Sequence, residues 1–362
     1  MNIAWIRGSA WERLFLRWKK DSILPNKETL DVVASLRNAR KILIAPNDRV
    51  GGLFMGAPVY KALREHYPDS EIVILCDHHK EALARQISFV DEVITANLDG
   101  ARLWSPQVQE MNDALRNLNF DLALCLGPDC SFRLFHLCGN SGAHVRLGFG
   151  RPGFDDLFNI TIVQTNNHIF ESDQYDTILN LMGLQKGHAV SWSFSQQDAR
   201  QARLRYLDGE FSRGIIIGLD LSRSEAQAMT AGQFSNIVDE IIKRGAHVVI
   251  FFTFAEKKKV NYLKKKYGNR VLAFEQEDLV RVAALLEGCS VLVSGNTEVL
   301  HLAVSLKMLT IGIFYEDPQR WIPPNSKFVK VIQTNNLRSV TGSQVVQELD
   351  LLLEKKWPVV PV

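Results

Sequence analysis

The sequence predicts an α/β protein made of two doubly wound parallel sheets in tandem, and three observations carry that expectation. The chain has 362 residues, more than one ordinary core accommodates, so two domains are expected. From Lys41 onward short apolar runs alternate with helical patterns, the rhythm of parallel strands joined by crossover helices. That rhythm breaks over 186–212 and then restarts. A linker is therefore placed at 189–212, between a first domain over 41–188 and a second over 213–362, with an extension over 1–40.

In the first half, "KILIAP", "EIVILCD", "VDEVITA", "FDLALCLGP" and "HVRLGFG" read as strands. Between them "GAPVYKALREHYP", "HKEALARQI", "VQEMNDALRNL" and "SFRLFHLCGNSG" read as helices, and "HIFESDQYDTILNLMGL" as one helix closing the half. In the second half the strands are "GIIIGLDL", "AHVVIFFT", "RVLAF", "SVLVSG" and "LTIGIFY". Their helices are "TAGQFSNIVDEIIKRG", stopped by Gly245, the lysine-rich "AEKKKVNYLKKKYG", "DLVRVAALLEGC", "VLHLAVSLKM" and a closing helix within 340–355. Two such sheets, with strand C-termini facing a shared crevice, suit a ligand held between domains.

A composition of 46% hydrophobic and 23% charged residues is that of a folded globular protein. The formal net charge is +2, too small for a global field that would attract nucleic acid. The six lysines of "AEKKKVNYLKKKYG" read as a solvated helix face. Five cysteines without a CxxC pair point to reduced thiols, although Cys130 and Cys138 are near enough in sequence to approach one another. No apolar run reaches the roughly 18 residues of a membrane span, and the start lacks the pattern of a secretory signal. A cytoplasmic protein is expected.

Residues 1–20 carry three of the seven tryptophans among Arg7, Arg13, Arg17, Lys19 and Lys20. Trp11, Leu14, Phe15 and Trp18 fall at i, i+3, i+4 and i+7, an aromatic helix face flanked by basic residues. Such a face suits packing on the protein's own body or in a dimer, or else peripheral attachment at the inner face of a membrane.

The chemistry-bearing stretch is "APNDRVGGLFMGAP" (45–58), a strand end, a polar turn and a reopening helix. Gly51 lets backbone come close to a ligand, and Asp48 is the turn's one carboxylate. No histidine pair has metal-ligand spacing, and no Walker or GxSxG motif is present. No metal and no further cofactor are expected.

Several stretches, in order over about residues 41–330, resemble glycosyltransferase family nine, the ADP-heptose:lipopolysaccharide heptosyltransferases. "KILIAPNDRVGGLFMGAPVYKALREHYPDSEIVIL" resembles that family's first strand, its R-x-D-R-I-G-D turn and the following helix. "FDLALCLGPDCSFRLFHLCGNSGAHVRLGF" is similar to its "YDLVIDLQ…SGAKRRIGF" segment. "DLVRVAALLEGCSVLVSGNTEVLHLAVSLKMLTIGIFYEDPQRW" resembles its G-N-D-S-G-P-M-H and F-G-P-T-D-P-x-R-W region. The resemblance implies the GT-B architecture, two Rossmann-like domains facing a central cleft. It also implies inverting, metal-free transfer from a nucleotide sugar, ADP-heptose in the family, to a glycan or glycolipid acceptor of lipopolysaccharide core synthesis.

The departures are specific. The family's proposed base is the last Asp of the turn, where this chain has Gly52; loss of one acid–base group typically costs about 10²–10⁴-fold in rate. Asp48 substitutes only if the turn is re-aimed, and otherwise binds the turn's own N–H groups. If the rest of the geometry holds, Gly52→Asp is expected to raise turnover. Arg49, Gly51 and Gly52 are the cleft-loop candidates. On the donor side the family's phosphate Lys aligns near Ala226, leaving Ser222, Arg223 and Ser224 as candidate phosphate ligands, with Asp220 and Glu225 as repelling charges. In "SGNTEVLH", Asn296 stands for the family's acid, Thr297 for its hydroxyl residue and Glu298 for its glycine, while His301 is retained. Glu256 falls where the family places an acid near the donor ribose, or else serves as helix N-terminal charge. Asp317 and Pro318 read as a structural turn. The implied function is a heptosyltransferase-like enzyme; the alternative is a catalytically silent binding or scaffold module.

Overall fold

The computed structural model describes residues 11, 31–47, 50–97, 100–127, 130–151, 155–163, 169–185, 214–222, 229–276, 278–315 and 317–354. The chain divides into two compact units, Met1–Val190 and Ser191–Val362. The proposed membrane face of residues 1–20 lies outside the described residues apart from Trp11, which is exposed.

In the first unit, α1 (Val32–Arg37) leads into β1 (Lys41–Ala45), α2 (Val50–Met55), α3 (Ala57–His66) and β2 (Glu71–Asp77). There follow α4 (Glu81–Ala84), β3 (Glu92–Ala96), α5 (Pro106–Asn117), β4 (Leu122–Cys125), α6 (Phe132–Gly139), β5 (Val145–Phe149) and β6 (Ile160–Ile162). The unit closes with α7 (Glu171–Gln174) and α8 (Asp176–Leu181). All strand pairs are parallel, in the order β3-β2-β1-β4-β5-β6. Leu43, Ala45, Val73, Leu75, Ala123 and Cys125 turn into one core layer with Phe132 and Phe135 of α6. Continuous apolar strands of this kind are what a sheet covered on both faces needs.

The second unit repeats the plan. β7 (Ile216–Asp220), α9 (Ala231–Lys243), β8 (His247–Phe252), α10 (Lys257–Tyr267) and β9 (Val271–Glu275) form its first half. α11 (Leu279–Leu286), β10 (Val291–Gly295), α12 (Glu298–Ser305), β11 (Thr310–Phe314), β12 (Val329–Gln333) and α13 (Gly342–Leu352) complete it. The order β12-β11-β10-β7-β8-β9 is the same winding. Each sheet therefore reverses direction once, between β1 and β4 and between β7 and β10, the places where such sheets hold ligands at their strand C-termini. Helix ends are set locally. Thr230 and Gln233 form a capping box on α9, whose far end is released by Gly245 at φ +79.

Two features differ from the sequence expectation. Each sheet has a sixth strand at its edge, β6 and β12, where five were read. Where the sequence reads as one helix over 168–184, there are two short helices, Glu171–Gln174 and Asp176–Leu181, with buried Tyr175 at the break. All five cysteines are buried thiols, and Cys130 and Cys138 form no disulfide.

Candidate functional site

In the first unit the β1–β4 switch point is occupied by Asn47, the second residue beyond β1 and 1% exposed. Its Nδ2 donates to Glu171 Oε1 at 2.6 Å, and the Tyr175 hydroxyl donates to the same oxygen at 2.9 Å. Glu171 is fully buried on α7. Two glycines make room for this amide. A Cβ at Gly52 would stand 2.3 Å from Asn47 Cβ and 2.9 Å from its carbonyl oxygen, and one at Gly127 would stand 2.8 Å from Asn47 Cβ.

That geometry changes the meaning of Gly52. Glycine is required there by the close approach of Asn47, so a carboxylate side chain at 52 has no space without displacing the strand end. The expectation that Gly52→Asp raises turnover is therefore replaced by one of disruption. Gly51 is buried in the same turn of α2. Asp48 and Arg49 lie outside the described residues.

In the second unit the switch point is organised by Asp220, the last residue of β7, 4% exposed. Oδ1 accepts from Ser222 N at 2.9 Å, Ser222 Oγ at 2.5 Å and Gln276 Nε2 at 2.9 Å. Oδ2 accepts from Ser294 Oγ at 2.8 Å and Thr297 Oγ1 at 2.5 Å. One carboxylate thus ties the ends of β7 and β10 to the residue that follows β9. Burial pushes the Asp220 carboxyl above the usual carboxylate range, opposed by the donors on Ser222, Thr297 and Ser294. A cavity of roughly 20 Å³ beside it, lined by Asp220, Ser222, Ser294, Met229 and Phe234, has room for one water.

The donor-side candidates are therefore placed as follows. The hydroxyls of Ser222 and Thr297 are directed at Asp220, and Thr297 also caps α12 through Leu300 N at 3.3 Å. Glu298 opens α12 and is exposed. Asn296 has a buried side-chain oxygen without a hydrogen-bond partner among the described residues. His301 is buried, its ring 4.8 Å from that of buried Trp321. Glu256 closes a capping box, its Oε2 accepting from Thr253 N at 3.1 Å and Oγ1 at 2.6 Å. Asp317 caps the turn Pro318–Arg320 through Gln319 N at 3.0 Å. Arg223, Ser224 and Ala226 lie outside the described residues, as does Glu225.

Sequence reasoning missed the roles of Asn47, Glu171, Gln276 and Ser294, and read Asp220 only as a repelling charge. One signal was available. Asp220 ends an otherwise wholly apolar strand, where a carboxylate needs internal partners to be buried. Spacing also gave no reason to group Asp77, His78 and His79, which the structure brings together. Their ligand atoms lie within 4.8 Å of one another, with His78 Nδ1 3.4 Å from Asp77 Oδ1. The same Asp77 oxygen accepts from His79 N at 2.9 Å, capping the turn His78–Lys80.

Known proteins share this plan. The model of "Glycosyltransferase family 9 (heptosyltransferase)" matches residues 159–347. Lipopolysaccharide heptosyltransferase 2 of Escherichia coli is 20% identical over 329 residues, covering 86% of this chain and 91% of its own. Among solved structures, a family 9 glycosyl transferase from Veillonella parvula superimposes with a TM-score of 0.76 at 17% identity, over 88% of this chain and 98% of its own. The E. coli ADP-heptose lipopolysaccharide heptosyltransferase II does so with 0.70 at 18% identity, over 87% and 99%. Those likenesses show the GT-B type of fold, two Rossmann-like domains. With more than half of its length matched by the family model, the chain belongs to glycosyltransferase family 9, the heptosyltransferase family.

Proposed function

We propose that the protein is an inverting glycosyltransferase that moves a sugar from a nucleotide sugar to a cell-envelope glycan or glycolipid, on the cytoplasmic side of the membrane and without a metal ion. The observation that supports this most is the extent of the family match, which takes in the whole second sheet with its β7–β10 switch point. There Asn296 holds a buried amide oxygen with no hydrogen-bond partner among the described residues, an acceptor that a sugar hydroxyl would satisfy if the loop turned it outward. Heptose is the favoured sugar because two of the relatives at 20% identity are lipopolysaccharide heptosyltransferases.

The proton acceptor in this reading is Asp48, since Gly52 is closed to a carboxylate. It would take the acceptor hydroxyl proton as that oxygen attacks the anomeric carbon. A donor-consumption assay with ADP-heptose and other nucleotide sugars, with and without EDTA, tests the reading. Donor cleavage that survives EDTA and is lost in Asp48→Asn supports it; full activity in Asp48→Asn removes Asp48 from the chemistry.

A second reading, a catalytically silent binding module, is favoured by one observation. The Ser222 and Thr297 hydroxyls that would hydrogen-bond a diphosphate are held by a buried carboxylate instead. Binding of a nucleotide sugar without cleavage under any acceptor would favour it.

A further inference from the structure

The helix α10 buries Val260 and Leu263 against its own sheet and leaves an unusual face outside. At 100° per residue, Lys258, Tyr262 and Lys265 fall along one line of that outer face, with Lys257 and Lys264 to one side. Lys266 is drawn inward, donating to Asp239 Oδ2 at 2.9 Å and Ser235 Oγ at 2.7 Å. The other lysines are not so engaged: among the described residues Lys257, Lys258, Lys259, Lys264 and Lys265 have no carboxylate partner. A merely solvated helix would be expected to intersperse acids among so many like charges.

The face is apolar as well as cationic. Phe254, in the turn just before α10, is 75% exposed, and Tyr262 is 50% exposed. The Lys257 ammonium stands 5.3 Å from the centre of the Phe254 ring, so ring and charge share one patch. Exposed aromatic rings among lysines with no carboxylate partner among the described residues satisfy two requirements of a lipid interface at once: rings that enter the headgroup boundary and cations that meet anionic lipid. A polyanion alone would require only the second.

We propose that this face of α10, with Phe254, docks the protein on an anionic phospholipid bilayer. The proposal concerns a surface of the second unit and stands apart from the reading of the switch points as a transferase site. No helix among the described residues is long and apolar enough to cross a membrane, so the attachment is to the surface.

The test is co-sedimentation of the full chain with vesicles of phosphatidylcholine alone and of phosphatidylcholine with 30% phosphatidylglycerol, about 30% being a strongly anionic surface. Binding is expected only to the anionic vesicles and is expected to weaken with added salt. Lys258→Gln with Lys265→Gln should lower the partition coefficient by about 25-fold, from about fivefold per lysine. Phe254→Ala should weaken binding in a way that salt does not mimic. All three positions are exposed, and thermal melts of each variant establish that the fold is retained. Equal binding to neutral vesicles would overturn the proposal, as would binding that these variants leave intact. Preferential binding to single-stranded RNA, lost in the same lysine variants but retained in Phe254→Ala, would assign the face to nucleic acid and overturn it too. Nucleotide titration of the same variants separates this outcome from the transferase reading, because none of the three residues lies at a switch point.

Discussion

The two switch points solve one problem in opposite ways. Both stand at the ends of an adjacent pair of parallel strands, and both are built around a buried carboxylate. In the first unit the carboxylate is imported: Glu171 lies 124 positions from Asn47 and accepts from it at 2.6 Å. In the second unit the carboxylate belongs to the strand itself, and Asp220 gathers five donors from three strand ends. The first arrangement depends on space, made by Gly52 and Gly127. The second depends on hydrogen-bond saturation. Groups that look free for a ligand in the sequence, a bare glycine in one case and hydroxyls in the other, are committed to closing the sheet.

That contrast has consequences of graded size. The largest belongs to Asp220→Ala, which leaves Ser222, Gln276, Ser294 and Thr297 without their common acceptor in a buried place. At least about 1–3 kcal/mol of stability, the cost of one buried group left unsatisfied, should be lost in urea denaturation, and more if several of the donors stay unpaired. A loss below about 1 kcal/mol would mean that the donors find other partners. Next is Gly52→Ala or Gly52→Asp. The added Cβ meets the strand end, so a loss of about 1–3 kcal/mol is expected, with no gain in turnover; a stable and faster Gly52→Asp would show that Asn47 yields easily. Glu171→Ala should cost about 1–3 kcal/mol by removing the acceptor shared by the Asn47 amide and the Tyr175 hydroxyl, whereas Glu171→Gln keeps an acceptor and should cost less.

The smallest effect is on pH dependence. The folded-state carboxyl of Asp220 is raised by burial, so its contribution favours the folded state fully below the unfolded value of about 3.9. That contribution is lost as pH rises through the folded value. The stability difference between wild type and Asp220→Asn should therefore fall as pH rises from below about 4. A difference that rises over the same range would give the raised carboxyl the wrong sign.

The plan of both units was legible because parallel strands buried on two faces leave unbroken apolar runs, as in "KILIAP" and "AHVVIFFT". The edge strands were not. β6 is three residues long, and β12 is exposed at Lys330, Val331 and Gln333 with Ile332 half-buried, so neither contrasts with its surroundings. The break in 168–184 was hidden because Tyr175 continues a helical pattern while its ring is needed inside. At the sites, residue types adjacent in sequence were readable and partners across the fold were not. Thr297 and Asn296 sit in a recognisable loop, but nothing in "FESDQY" says that Glu171 ends beside Asn47. Asp48, the proposed base, lies outside the described residues and is a candidate read from sequence alone.

The central claim, that this family member takes a nucleotide sugar, is tested most directly by calorimetric titration of the full chain with ADP, UDP and GDP. Saturable binding of at least one, weakened when Asn296 is changed to Ala and unaffected by Lys258→Gln with Lys265→Gln, is the predicted result. An absence of binding heat with all three nucleotides and with their sugar conjugates, across temperatures, would contradict it.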